Sequence, residues 1–420
     1  MTPSETQFDL IVIGGGPAGM MCAGRAAERG AKVMLLEKNP VLGKKLAITG
    51  GGRCNITNAI DNIRELVDRY GTGAKPLFAA FSRFSPESAI NFFETRGLET
   101  KVEAEGRVFP ATDDARDVTR VLAEYMRQGK VRVVLNAAVR SVAAYDDYVR
   151  IISDVGDFCA AAVAVATGGT AYPETGSTGE GFVWLKKLGH DVISPNLSLV
   201  PVKVKESWVA NLSGLSFPKA QATIIANDKK IEKKKGKILF THFGLSGPLI
   251  LNMSKKIGEL LESGQVFVSV DFMPQQDQVK LDKELLELFT KNHSKKIKNV
   301  LAGLLPEKVI EIILRNNTID PDKWVNRVSR LERSAIAKTF KDLRLTVTGL
   351  LGADKAVVSS GGVNPAEVDF RTMRSKIHGN LYILGDALNF NRPSGGFSLQ
   401  ICWTTGYLAG DAVMIDGKSK

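Results

Sequence analysis

An α/β fold whose parallel sheet is built from both ends of the chain is predicted by three features of the 420-residue sequence. Phe8–Ile13 (FDLIVI) is an apolar, β-branched run that leads straight into Gly14-Gly15-Gly16-Pro17-Ala18-Gly19. A small-residue segment follows, and then a second apolar run, Lys32–Glu37 (KVMLLE), that ends in an acid. After about residue 345 the chain returns to glycine-punctuated apolar runs, LTVTG, AVVSSGG and LYILGDA. Strand, glycine turn, helix and strand in this order make a right-handed βαβ unit.

Ala18–Arg29 reads as the helix of that unit, stopped by Gly30. Gly43–Asn58 is too dense in glycine and small polar residues for regular structure. Helical patterns follow at Glu87–Arg96 and Asp117–Gln128, the second capped by Thr112, Asp113 and Asp114. Strands are expected at Val131–Leu135, Val149–Ser153 and Ala161–Ala166, the last running into Thr167-Gly168-Gly169. From about Pro195 the texture changes. Leu199–Val204, Ala220–Ala226 and Val266–Asp271 alternate as antiparallel strands do, and Leu281–Phe340 is charged and mostly helical in period. The last helix, Phe397–Met414, starts behind Gly395-Gly396. Residues 1–195 and 345–420 are therefore expected to form one discontinuous domain, with the middle inserted over its ligand crevice.

The longest apolar stretch near the N-terminus, Leu10–Ala23, is broken by four glycines and a proline and preceded by Asp9, so neither a signal peptide nor a membrane span is expected. Cys22, Cys54, Cys159 and Cys402 lie far apart, without the spacing of a metal site or a redox pair, which suits a reducing cytoplasm. The net charge of +11 is uneven. Residues 197–344 hold 26 Lys/Arg against 16 Asp/Glu, an excess of +10; the rest hold 30 against 29. Lys229, Lys230, Lys233, Lys234, Lys235 and Lys237, with Lys291, Lys295, Lys296 and Lys298, supply much of it. This is the footprint of a protein that meets a polyanion, although a solvated lysine hairpin accounts equally well for the charge alone.

Gly14, Gly16 and Gly19 form G-x-G-x-x-G: a tight turn, a close backbone approach to a pyrophosphate, and close helix–strand packing. Free N–H groups at the helix start favour the phosphates. Glu37, at the end of the second strand, is placed to accept both ribose hydroxyls, which a 2′-phosphate would forbid. Three further segments favour FAD over NAD. Gly385-Asp386 ends the strand Leu381–Leu384, where a carboxylate meets a ligand that extends past its pyrophosphate. Gly395-Gly396 opens a helix whose N-terminus suits an electron-rich ring carbonyl, and Thr167-Gly168-Gly169 ends a strand as a short cofactor-side turn. Each alone reads equally well as a loop glycine; their joint order does not.

On IVIGGGPAGMMCAGRAAERGAKVMLLEKN, LGKKLAITGGGRCNITN, THFGLSGP, SSGGVNPAEVDFRTMRSK and GDALNFNRPSGGFSLQICWTTGYLAG, the chain resembles the BaiN/RdsA family of bacterial flavoproteins over nearly its full length. The resemblance implies a Rossmann-like FAD domain of the glutathione-reductase type, an inserted β-barrel at 196–275 plus about 330–344, and a helical cap at 276–330. It implies FAD held by Gly14, Gly16, Gly19, Glu37, Lys44, Lys45, the loop Gly51, Gly52, Arg53, Cys54 and Asn55, the backbone of Val139, Thr167 with Gly168, Gly385-Asp386, and the turn Gly395, Gly396, Phe397 to Gln400. Where the family pattern has Gly-Gly-Tyr-Asn-Leu-Gln, this chain has Phe397 and Ser398, without the hydroxyl and amide. Members are linked to reduction of activated C=C bonds, in a ribosomal RNA uracil and in unsaturated bile-acid ketones, and to amine oxidation.

Reduction of a conjugated C=C by a flavin needs a proton donor beside the acceptor carbon. Cys54, His242 in THFGLSGP, and Arg53 as an anion or carbonyl binder are the candidates; for Cys54 and His242 a buried thiol and a packing histidine are the bland readings. No second G-x-G-x-x-G follows a strand, so NAD(P)H is expected to dock transiently. The leading expectation is an FAD-dependent reductase of uridine in ribosomal RNA, reached through the basic insert. The alternatives are a small-molecule ene-reductase or amine oxidase, and a non-catalytic flavin-binding RNA factor. No resident metal and no membrane partner are expected.

Overall fold

The computed structural model describes residues 8–71, 73–351 and 358–414, in two compact units: residues 1–197 with 353–420, and residues 198–352. In the first unit the β-branched run forms the strand Phe8–Ile13, buried along almost its whole length. It pairs in parallel with Val33–Leu36 on one side and with Gly156–Val165 on the other. Arg132–Val134 extends the parallel sheet beyond the former, and Leu381–Ile383, from the far end of the chain, extends it beyond the latter. Continuous apolar runs in these strands are what a sheet covered on both faces requires.

The glycine-loop helix Pro17–Glu28 and the C-terminal helix Phe397–Ala412 lie against each other. Gly406 and Gly410, four residues apart, allow it. A Cβ on Gly406 would collide with the Ala18 carbonyl oxygen, and one on Gly410 would stand 2.6 Å from that of Cys22. Arg25 closes the contact by donating from Nε (3.1 Å) and Nη2 (2.6 Å) to Asp411 Oδ1. The two chain ends therefore share one sheet and one helix pair.

In the second unit, six strands close an antiparallel barrel in the order 202–204, 244–246, 229–241, 216–226, 266–271, 343–350. A two-residue turn at Asn227-Asp228, both at positive φ (48° and 58°), joins the long hairpin Ser216–Ala226 and Lys229–Thr241, as the right-handed twist of paired strands favours. The helix Pro248–Leu261 buries Leu249, Ile250, Met253 and Ile257 in the same core. The helical stretch resolves into Gln278–Lys291, Ile297–Leu301, Glu307–Asn316 and Arg330–Lys341.

Two expected boundaries move. Residues 330–341, assigned from the resemblance to the barrel, are helical, because Ser329 and Glu332 form a reciprocal capping box. LTVTG, read as the return to the nucleotide domain, lies in the strand Leu343–Leu350, which pairs with Val266–Asp271 and Val202–Val204. Buried Leu343, Leu345 and Val347 face the barrel core, and the compact units change at 352/353. Glycine punctuation marks the end of an element and carries no information about which sheet the element joins. Of AVVSSGG, Ala356 and Val357 lie outside the described residues. Among the described residues no helix is long and apolar enough to cross a membrane, and no group of three or more His, Cys, Asp or Glu side chains is placed to hold a metal ion.

Candidate functional site

The glycine motif does three separate things. Gly14 follows the first strand at φ +108°, which L side chains rarely adopt, and a Cβ there would lie 2.5 Å from the carbonyl oxygen of Ala166, the residue after the adjacent strand. A Cβ on Gly16, the residue before the helix, would meet nothing within 4 Å. Gly19 lies in the first turn of the helix, and a Cβ on it would fall on the Gly14 carbonyl oxygen. Turn, open approach and close packing are thus divided among the three as the motif demands.

A cavity open to solvent lies over this loop within the first unit. Gly14, Gly16, Lys44 and Lys45 line it, and so do Val139, Thr167 and Gly168. Glu37 and Asp386 line it as well, although 349 positions separate them in the chain. Glu37 is 7% exposed. Its Oε2 accepts from the Gly15 N–H at 2.6 Å, and its Oε1 accepts from the Asn39 N–H and Nδ2 at 2.8 and 2.7 Å. Buried among donors, it is a fixed acceptor at the far edge of the second strand.

Asp386 follows the strand Leu381–Ile383 in a single 3₁₀ turn and stands between two cations. Lys45 Nζ is 3.7 Å from its Oδ2, and the buried Arg392 Nη1 is 3.2 Å from its Oδ1. Lys45 Nζ also donates to Ser177 Oγ at 2.9 Å. Asp386 Oδ1, ion-paired but not hydrogen-bonded, and Thr167 Oγ1 are buried atoms without a hydrogen-bond partner. Buried polar atoms in that condition are rare, and both residues line the cavity. A ligand bearing hydroxyls, with phosphates at the glycine loop, satisfies them, so the donor and acceptor set fits a flavin dinucleotide.

Gly51, Gly52, Arg53, Cys54 and Asn55 do not line this cavity, nor do Gly385, Gly395, Gly396, Phe397 and Gln400; Gly19 acts through packing. Residues 55–58 are instead stapled to the start of the C-terminal helix. With its amide turned to suit its neighbours, Asn55 accepts from the Gly396 N–H at 2.9 Å. Asn58 Nδ2 donates to the Gly395 carbonyl (3.1 Å), Thr57 Oγ1 to Gln400 Oε1 (2.6 Å), and Trp403 Nε1 to the Ile56 carbonyl (2.8 Å). Gly396 precedes the helix at φ +96°, where a Cβ would collide with the Thr57 carbonyl. Ser398 Oγ, in the first turn, is a further buried atom without a hydrogen-bond partner.

The three candidates for chemistry have different surroundings. Arg53 donates from Nη1 and Nη2 to Glu103 (2.8 and 3.0 Å) and from Nη1 to Asp113 (3.1 Å), with its guanidinium 4.0 Å from the centre of the Phe109 ring. Its hydrogen bond holds the Glu103 carboxyl below the usual range, and a Lys101 hydrogen bond does the same for Asp113. Cys54 is fully buried at φ +60°, and burial pushes its thiol up to about 12. The native protein is therefore expected to leave Cys54 unalkylated by iodoacetamide at neutral pH, while denaturant exposes it; peptide mass spectrometry reads the difference. His242 is exposed in the turn between Lys229–Thr241 and Gly244–Ser246, its ring edge-on to Phe243 at 4.9 Å between centroids.

Asn39, Ser177, Trp184 and Cys402 also line the cavity, and sequence reasoning missed them. Asn39 was within reach, being two residues past Glu37 in a turn whose donors must face that carboxylate. Ser177 and Trp184 sit in no motif and arrive by folding alone, and Cys402, inside the segment Gly385–Gly410, is marked by no residue pattern of its own.

A model of the HI0933-like protein Rossmann domain matches residues 8–412. The chain belongs to this family. Its relatives include the 3-dehydro-bile acid delta(4,6)-reductase of Clostridium scindens, 30% identical over 96% of this chain and 98% of that protein. They also include the ribosomal RNA dihydrouridine synthase of Escherichia coli, 28% identical over 96% of each. Among solved structures, the 3-ketosteroid delta1-dehydrogenase of Sterolibacterium denitrificans shares the fold at a TM-score of 0.54 and 11% identity, over 97% of this chain and 99% of that one. This HI0933-like protein is a flavin-dependent oxidoreductase, and FAD is the cofactor its Rossmann-type domain binds.

Proposed function

We propose that this flavoenzyme reduces an activated C=C bond with electrons from NAD(P)H, and that the bond belongs to a uridine of ribosomal RNA, giving dihydrouridine. The observation that carries the choice of substrate is the +10 excess in residues 197–344, whose six hairpin lysines, Lys229 to Lys237, are all exposed. Likeness to an RNA dihydrouridine synthase over the whole chain supports it. The hydride chemistry is that of bound FAD. The protein's part is to hold the ribose with Glu37, the pyrophosphate with the glycine-loop N–H groups, and the hydroxyl-bearing chain with Asp386, Thr167 and Lys45. Cys54 and His242 are carried into this reading as the candidate proton donors.

Mass spectrometry of ribosomal RNA nucleosides from a deletion strain is expected to show loss of dihydrouridine, restored by the wild-type gene; unchanged dihydrouridine overturns the substrate. Anaerobic titration with NADH and NADPH identifies the donor by bleaching of the flavin. A second reading, a small-molecule ene-reductase, is favoured by the 30% identity to the bile-acid reductase. It calls for fast decay of the reduced flavin on adding an enone and no RNA affinity. Rapid reoxidation by air would point to an amine oxidase instead, and RNA affinity without bleaching by NAD(P)H to a non-catalytic RNA-associated factor.

A further inference from the structure

We propose that the strand Lys229–Thr241 carries a row of phosphate contacts, in which the ammonium groups of Lys230, Lys233 and Lys235 hold successive phosphates of single-stranded RNA. This rests on the RNA reading above and makes it specific.

Alternation along a strand puts Lys233 and Lys235 on one face and, left alone, would put Lys230 on the other. The hairpin register prevents that. Ile224 pairs with Glu232 and Ile225 with Lys230, so Ile231 is an extra, unpaired residue, a β-bulge. Lys230 thereby joins Lys233, opposite Thr223, and Lys235, opposite Gln221, in one row. All three are exposed. Neighbours in such a row stand roughly 6.6 Å apart, two strand residues, a spacing on the scale of the phosphate repeat of an extended nucleic acid strand.

The two faces differ in charge. Lys229 and Lys234 share the other face with Glu232, and Lys234 Nζ lies 2.6 Å from its carboxylate. Two carboxylates on or beside the neighbouring strands are already engaged. Asp271, paired across from Gln221, takes Lys341 at 2.7 Å, and Asp342 takes Arg344 at 3.0 Å and the Ser269 hydroxyl. The Lys230–Lys235 row therefore keeps most of its charge, with Lys230 in electrostatic reach of Asp342 and Lys235 in a long 3.5 Å contact to the Pro274 carbonyl. A straight row of cations suits an extended polyanion. A lipid surface would call for apolar side chains among the lysines, and here only Ile231 is an exposed large hydrophobic.

The test compares two pairs of substitutions that remove equal charge from one strand, Lys233→Ala/Lys235→Ala and Lys229→Ala/Lys234→Ala, in the FAD-loaded full chain. Flavin content and melting temperature check that both remain folded. Anisotropy with a fluorescein-labelled oligouridylate, between about 50 and 200 mM salt, reads affinity and its salt dependence. For the first pair the slope of log affinity against log salt is expected to fall by about 1.4, two contacts at about 0.7 each for a single strand. The second pair should change it by less than half as much. Equal effects from both pairs would reduce the row to net charge and overturn it. An unchanged slope, or tighter binding to phosphatidylserine vesicles than to the oligonucleotide, overturns it too. Dihydrouridine lost from the deletion strain alongside any of these results would leave the substrate reading standing and remove the row alone.

Discussion

Gly19→Ala is expected to yield protein that purifies nearly colourless and melts several degrees below wild type. The added Cβ would fall on the Gly14 carbonyl oxygen, which is backbone and has no rotamer to escape into. The helix Pro17–Glu28 must then lift from the strand Phe8–Ile13, an overpacking that costs about 1–3 kcal/mol. Cofactor loss should exceed the loss of stability, because the displaced helix start is where free N–H groups meet the pyrophosphate. An affinity for FAD lower by about 10²-fold is expected, read from flavin per protein and from titration of the stripped enzyme. Gly16→Ala separates binding from packing. Its Cβ meets no protein atom within 4 Å but enters the space the cofactor must pass, so the apoprotein should melt normally and still bind FAD poorly. Full FAD content in Gly19→Ala would show that the close helix–strand approach is dispensable.

That contrast also shows why one end of the site was legible and the other was not. The βαβ unit is local: strand, turn and helix are consecutive, and each glycine has a separate steric duty that leaves a mark in sequence. Glu37 follows from the same unit, being the residue where the second strand ends. Asp386 was reached by a weaker argument, a glycine-acid pair after an apolar run, and it meets Glu37 at one cavity only because Leu381–Ile383 pairs with Gly156–Val165. Other parts of the cavity wall, Val139, Lys45 and Ser177 among them, come from residues whose positions depend on sheet order and loop path and not on any period. The inserted unit shows the limit in another way. The alternation of Leu343, Leu345 and Val347 announces a strand but not its partner; only its pairing with Val266–Asp271 assigns it to the barrel. Likewise composition shows the lysines of the hairpin, yet the bulge at Ile231, which sets the face of Lys229 and Lys230 relative to Lys233, Lys234 and Lys235, leaves no mark in it.

Glu37→Ala and Glu37→Gln are both expected to weaken FAD binding by roughly 10²-fold, and the glutamine should rescue little. The carboxylate accepts three hydrogen bonds from protein donors, one on Oε2 and two on Oε1. Alanine leaves the buried Gly15 N–H and the part-buried Asn39 N–H without their acceptor, while Asn39 Nδ2 keeps the Thr175 carbonyl, and it removes the acceptor for the ribose. A charged hydrogen bond is worth about 1.5–3 kcal/mol, and about 2.8 kcal/mol corresponds to that loss of affinity. Glutamine has the right shape but the wrong polarity. Whichever way its amide turns, an NH₂ group faces either the Gly15 N–H or the Asn39 donors, so one oxygen's worth of acceptance becomes donor against donor. If isosteric shape were what mattered, glutamine would bind FAD nearly as well as wild type while alanine failed. If the negative charge with its two acceptor oxygens matters, the two variants fail together. Isothermal titration of stripped Glu37→Gln with FAD decides between these outcomes, and a dissociation constant within threefold of wild type would remove Glu37 from its role as the fixed acceptor of the ribose.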